Sequence, residues 1–241
     1  GYDMVRILEQ VYLGADGIYG TPLGVSSTFV IIIVVLGALL EKTGASGVLM
    51  DIAVSMTRNS RGGPAKAAVV GSSLMGMISG TAVANVLTTG TISIPLMRRG
   101  GYRPAVAGAV EAVASTGGQL MPPIMGAAAF LMADIMEVPY LDITKAALLP
   151  ALLFYIAVFA SVHLEAVKTG LKPLESIDIP DVAQSLRNSG HVLLSIPVFI
   201  GTLISGYSVM YSSLAGIVCL LALSLLRYSS RLNPRQLIAA A

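Results

Sequence analysis

ISGTAVANVLTTGTISIPLM, Ile78 to Met97, is the stretch whose reading decides the fold. It lies in a chain that is 55% hydrophobic, yet Gly80 and Gly90, with Gly76 just upstream, loosen any helix drawn through it. Ser79, Thr81, Asn85, Thr88, Thr89, Thr91 and Ser93 add polar groups, and Pro95 removes a backbone donor. A lipid-facing helix has no use for such residues, so the stretch demands a partner inside protein.

Working outward, the run from Ala67 to Met97 holds 31 residues without a charge. A simple crossing needs about 20. Arg58, Arg61 and Lys66 precede the run, and Arg98, Arg99 and Arg103 follow it. Cytoplasmic loops carry the excess of Lys and Arg. With both flanks cytoplasmic, the run dips in and returns as a re-entrant hairpin, with its tip near 80–85.

The remaining segments fit that assignment. Val25 to Leu40 reads as the first span, and 41–58 as an amphipathic helix along the interface, after an exterior loop over 1–24. Pro104 to about Met132 crosses outward, the acidic loop with Asp134, Glu137 and Asp142 lies outside, and 146–162 returns. A polar linker over 164–190 is followed by two spans within 191–226, ending at Arg227, Arg231 and Arg235. Alternation of sides closes only when 67–97 does not cross. Residues 227–241 begin a further apolar helix, and the chain reads as an internal piece of a longer polypeptide.

The outward crossing is itself interrupted. EAVASTGGQLMPPIMGAAAF, residues 111–130, carries Gly117-Gly118 and Pro122-Pro123 in its middle. Proline inside a helix removes a hydrogen bond and clashes with the preceding turn, at about 3 kcal/mol or more. The residue before it is also pushed out of the helical region. Two half-helices are expected, over 104–116 and 123–136, joined by unwound backbone. The fold class is therefore all-α integral membrane, with a re-entrant hairpin and a discontinuous helix.

Unwound backbone at membrane depth survives only inside protein or beside a polar cavity. The two breaks, near 80–85 and 117–122, are expected to face each other with a guest between them. Released carbonyls and helix C-termini suit a cation; helix N-termini suit an anion. Ser79, Thr81, Asn85, Thr88 and Thr89 offer neutral oxygens, which fit a monovalent cation better than a divalent one that recruits carboxylates. The same small residues are also what membrane helices use to pack closely.

Other residues carry less. Glu111 is the one acid deep in a crossing, and it accepts a proton, holds the hairpin by hydrogen bonds, or lies nearer the cytoplasmic interface and pairs with Arg98 or Arg103. His163 and His191 lie at span ends without metal-ligand neighbours. Cys219 reads as a small buried hydrophobe. No histidine sits in an apolar core to activate Ser79 as a nucleophile. RGGPAKAA lacks the spacing of a phosphate loop. The formal net charge of +2 gives no sign of nucleic acid. With no catalytic constellation in the sequence, an enzyme is not expected, and neither is an organic cofactor.

The runs GSSLMGMISGTAVANVLTTGTISIPLMRRGGY (71–102) and EAVASTGGQLMPPIMGAAAFLMADIM (111–136) resemble the large membrane component of tripartite ATP-independent periplasmic (TRAP) transporters, most of all the permeases that fuse small and large components. The match extends through 20–66 and holds well to about residue 170. The resemblance implies an elevator-type ion transporter fold in a bacterial or archaeal cytoplasmic membrane. It implies import of organic acids, with Na⁺ as the coupling ion, no other metal and no cofactor. The implied partners are an extracytoplasmic binding protein of the TAXI-like kind, a small membrane component fused in the full-length chain, and the lipid bilayer. Residues 67–163 then form a moving transport domain against a support of 25–66, and the chain covers the first of two inverted repeats and, with the two spans in 191–226, the start of the second. Carried onto this sequence, the first sodium site is Ser79, Gly80 and Asn85 with Thr116, Gly117 and Gly118, and the substrate passes near Thr88, Thr89, Pro122 and Pro123. The alternative is a passive channel or an assembly subunit with re-entrant loops.

Overall fold

The computed structural model describes residues 3–14, 17–171 and 181–226. Among them every regular element is helical. Helix α1 covers Met4–Tyr12, and α2 (Thr21–Val25) runs through a π-helical turn into α3 (Ile31–Lys42). Then come α4 (Ala45–Thr57), α5 (Gly63–Ser79), α6 (Ala82–Arg99), α7 (Pro104–Gly117), α8 (Ala127–Ile135) and α9 (Tyr140–Lys168). After the linker come α10 (Val182–Ser189), α11 (Ser195–Ile204) and α12 (Val209–Leu226). Among the described residues two stretches are long and apolar enough to cross a membrane alone: the 20 residues of Leu23–Lys42 and the 29 of Tyr140–Lys168. The terminal arginines at 227, 231 and 235 lie outside the described residues.

Helices α5 and α6 form an antiparallel hairpin. Gly62, at φ +70°, precedes α5, and Pro64 opens it, where a missing N–H costs nothing. Gly80, at φ +62°, ends it in the left-handed conformation, with its N–H on the Gly76 carbonyl. Thr81 is extended, and α6 starts at Ala82, so the tip is two residues long. The helix then continues through Pro95 to Arg99. At the other end of the hairpin, a Cβ on Gly100 would lie 2.6 Å from Pro64 Cγ. The two flanks of the uncharged run are therefore neighbours in space.

The C-terminal end of α9 joins them, since a Cβ on Gly62 would lie 2.6 Å from Ala166 Cβ and 2.5 Å from Tyr102 Oη. This base of the bundle gathers Arg58, Arg61, Lys66, Arg98, Arg99, Arg103 and Lys168, with Glu165 as the acid among them. Burial, reinforced by Glu165, pushes the Tyr102 phenol up to about 12. The phenol therefore stays neutral beneath Gly62, whose carbonyl accepts its hydrogen bond at 3.4 Å.

Two apolar clusters flank a polar layer. Near the base, Ala65, Ala68, Val69, Met97, Ala107, Ala114, Tyr155 and Val162 pack together. Near the hairpin tip, Leu36, Leu40, Met75, Ile78, Ile124, Met125, Phe130 and Phe199 form the second. Between them lie the buried polar residues Ser72, Asn85, Thr89, Ser93, Glu111 and Ser115.

The structure departs from expectation in three places. Residues 1–24, expected as a loop, carry α1 and α2. Met4, Ile7, Leu8 and Val11 recur at helical spacing, a pattern hidden by the surrounding glycines. The second half-helix begins at Ala127, not at 123. Finally, α9 is one helix from Tyr140 to Lys168 and takes in residues assigned to the loop before it and the linker after it.

Candidate functional site

The two interruptions face each other. Helix α7 ends at Gly117, a 3₁₀ turn covers Gly118–Leu120, and the backbone is extended at Met121. The loop to Ala127 is held by its own bonds, because the Gly126 N–H donates to the Gln119 carbonyl at 2.8 Å. The Tyr140 hydroxyl lies 3.0 Å from the Pro123 carbonyl oxygen and closer still to that of Ile124. A phenol 16 residues downstream thus satisfies polar backbone that no helix could. Pro122 and Pro123 are buried in this loop. Met125 adopts φ +59°, a conformation uncommon for a residue with a side chain.

Gly80 meets this loop directly, since a Cβ there would lie 2.3 Å from the Met125 carbonyl oxygen. One turn back, a Cβ on Gly76 would lie 2.3 Å from Gly118 Cα, and one on Gly118 2.6 Å from Gly76 Cα. Backbone touches backbone at both levels, and only glycine permits it. The C-terminal ends of α5 and α7 converge here, as do the segments that open α6 and α8. A cavity of about 50 Å³ lies at the junction, lined by Ser79, Gly80, Thr81, Ile124, Met125 and Ala127 among others. Ser79 Oγ is 3.4 Å from the Thr81 carbonyl oxygen across the tip.

Asn85, wholly buried, sits behind the Gly76–Gly118 contact. Its Nδ2 donates to the Ser72 carbonyl at 2.8 Å and lies 3.5 Å from that of Ser115. The amide therefore ties both arms of the hairpin to α7.

Beyond Asn85 lies Glu111, also 0% exposed. Ser72 donates to its Oε1 at 3.1 Å and Ser115 at 2.9 Å. Thr89 and Ser93 make short hydrogen bonds to Oε1 and Oε2. Four hydroxyls from three helices thus surround one carboxyl group, which has about four acceptor sites. Among the described residues no cation pairs with it; the ion pair they contain is Lys145–Asp142, on the surface.

The expected site residues divide accordingly. Ser79, Gly80, Asn85 and Gly118 lie at the junction. Thr116 is exposed, with its hydroxyl on the Ala112 carbonyl at 2.7 Å. Gly117 turns toward α9, where a Cβ would strike the Phe154 ring at 2.1 Å. Thr88 faces α3 and donates to Glu41 Oε1 at 2.7 Å. Thr89 belongs to the Glu111 cluster. Ser72, Ser93 and Ser115 were not among the expected site residues, though their spacing marks them. Asn85, Thr89 and Ser93 recur every four residues, as do Glu111 and Ser115, and Ser72 and Gly76, so each set shares one helix face.

Fold and site together describe an all-helical protein, of a composition consistent with a membrane protein, in which a hairpin docks against a broken helix. The chain belongs to the DctM component family of tripartite ATP-independent periplasmic transporters, whose family model matches residues 1–241. It is 29% identical over 170 residues to the C4-dicarboxylate TRAP transporter large permease protein DctM of Pseudomonas aeruginosa, covering 70% of this chain and 39% of that one. It is 27% identical over 173 residues to the uncharacterized protein YgiK of Salmonella typhimurium, covering 72% of this chain and 40% of that one. The chain thus spans about two fifths of the length of these relatives.

Proposed function

We propose that this chain is part of a Na⁺-coupled, secondary-active importer of the bacterial or archaeal cytoplasmic membrane. Its substrates are organic acids, handed over by an extracytoplasmic binding protein of the TAXI-like kind, and a small membrane component is fused to it in the full-length chain. The observation that carries the reading is the docking of Gly76 and Gly80 onto the break at Gly118 and Met125. Two helix C-termini meet there and present partial negative charge to a cation. The starts of α6 and α8 meet beside them and present partial positive charge to a carboxylate. Na⁺ bound against the tip orders it, the carboxylate follows, and the hairpin with α7 to α9 slides as an elevator against α3 and α4. The Thr88–Glu41 hydrogen bond joins the two bodies in the present arrangement.

The re-entrant reading rests on the neighbouring flanks of the hairpin. Cysteines placed at the exposed positions of Arg61 and Arg99 are expected to react with a membrane-impermeant reagent from the cytoplasmic face alone. Labelling of the two from opposite faces would show that the segment crosses.

The function is tested with the full-length protein in proteoliposomes together with its binding protein. Saturable uptake that needs both a Na⁺ gradient and the binding protein is the expected result. Uptake indifferent to Na⁺ would refute the coupling, and flux without the binding protein would indicate a passive channel. Asn85→Ala is expected to raise the Na⁺ concentration for half-maximal uptake by about tenfold, the equivalent of one lost hydrogen-bonding group. Thr116→Val is expected to leave it unchanged, because its side chain points away from the junction.

A further inference from the structure

A groove of about 500 Å³ runs between α5 and α9 and shares no lining residue with the junction cavity. Val69, Leu152, Ile156 and Phe159 form its apolar walls, and Lys66 and His163 stand at its base end. Lys66 is only 5% exposed. Its ammonium lies 5.2 Å from the centre of the Phe159 ring. Among the described residues that ammonium has no carboxylate partner. A cation held beside apolar walls in this way favours a negative partner, and a ring face offsets only part of its lost hydration.

We propose that the groove binds an anionic phospholipid, its phosphate on Lys66 and one acyl chain along Val69, Leu152 and Ile156. A small soluble anion would satisfy Lys66 and leave the apolar walls wet, and a neutral lipid would cover the walls and leave the charge alone. An anionic amphiphile meets both demands. The surrounding base carries Arg58, Arg61, Arg98, Arg99, Arg103 and Lys168, a collar that concentrates anionic headgroups at the mouth of the groove. The assignment to the cytoplasmic leaflet rests on the topology proposed above; binding itself does not.

The test uses the full-length protein in mild detergent, with phosphatidylglycerol and phosphatidylcholine of identical acyl chains added in equal amounts and retention read by native mass spectrometry. The wild type is expected to retain one phosphatidylglycerol in preference to phosphatidylcholine by about fivefold, the worth of one basic side chain at a lipid surface. Lys66→Gln is expected to abolish the preference, and Lys66→Arg to keep it. Lys145→Gln, exposed at the opposite end of α9 from the collar, is expected to change nothing. Ile156→Trp, which fills the groove from its exposed wall without touching a charge, is expected to lose the retained lipid and provides a readout even if Lys66→Gln misfolds. Equal retention of both lipids by the wild type would overturn the proposal. So would phosphatidylglycerol retained equally by wild type, Lys66→Gln and Ile156→Trp, the result expected if another segment of the full-length protein fills the groove. Loss of Na⁺-coupled uptake in a separate assay would bear on the transport reading and leave this one standing.

Discussion

Gly76→Ala is expected to lower Na⁺-dependent uptake by about a hundredfold, the scale of loss when reacting or binding groups are displaced by an ångström. The added methyl would lie 2.3 Å from Gly118 Cα and 3.2 Å from Asn85 Nδ2. Neither neighbour is the loose end of a flexible side chain. The hairpin must therefore move away from α7, which takes Asn85 off the Ser115 carbonyl and opens the contact between Gly80 and Met125. Forcing extra volume into a packed interior costs about 1–3 kcal/mol, so the melting temperature should fall as well. Gly71→Ala provides the contrast within the same helix, because its methyl meets the Met50 sulfur at 2.7 Å, and a thioether can swing aside. Gly108→Ala, with nothing within 4 Å, should stabilise α7 by up to about 1 kcal/mol through helix propensity. Wild-type uptake in Gly76→Ala would show that transport does not need the two breaks in contact.

The close contact at Gly76 also shows what could be read from sequence and what could not. That the chain unwinds near Gly80, and again after Gly117, follows from local chemistry, since glycine and proline act within a turn of themselves. Where each side chain at a break points depends on helical phase. Thr116 follows Ser115 by one residue and so lies about 100° around α7, which sends Ser115 to the hairpin and Thr116 outward. Thr88 and Thr89 divide in the same way between Glu41 and Glu111. The four-residue spacing of Asn85, Thr89 and Ser93 contained this information, but composition alone, a stretch rich in hydroxyls, did not. The start of α8 was not legible at all. Its start at Ala127 goes with Met125 in the left-handed conformation and with the carbonyls of Pro123 and Ile124 facing the Tyr140 hydroxyl, a partner that only the tertiary fold brings near. Gly76 was noted as a helix loosener, whereas its role is to let two backbones touch.

Glu111→Ala is the second substitution expected to have a large effect, and it separates the two roles open to that residue. As a proton acceptor serving transport, Glu111 would need a path to water. Instead it is wholly buried beneath four hydroxyl donors that come from α5, α6 and α7. This geometry supports the other role, a clamp that fixes the two hairpin arms and the broken helix at one point. Truncation to alanine removes every acceptor at once and leaves buried hydroxyls facing a void. Hydrogen bonds to a carboxylate are worth about 1.5–3 kcal/mol each, though they do not add independently, so a loss of about 3 kcal/mol or more is expected. The measurement is the thermal or denaturant stability of the full-length protein in detergent, read beside uptake. Glu111→Gln keeps the volume and one oxygen acceptor; with that oxygen in the place of Oε1, three hydroxyls keep their acceptor and the amide donates toward Ser93 alone, whose hydroxyl can rotate to accept. It should therefore lose less stability than the alanine variant and retain part of the uptake, with an unaltered pH dependence. A glutamine variant as stable as wild type but without uptake, or with its pH profile displaced, would assign the carboxyl a proton-handling role and reject the clamp as its main one.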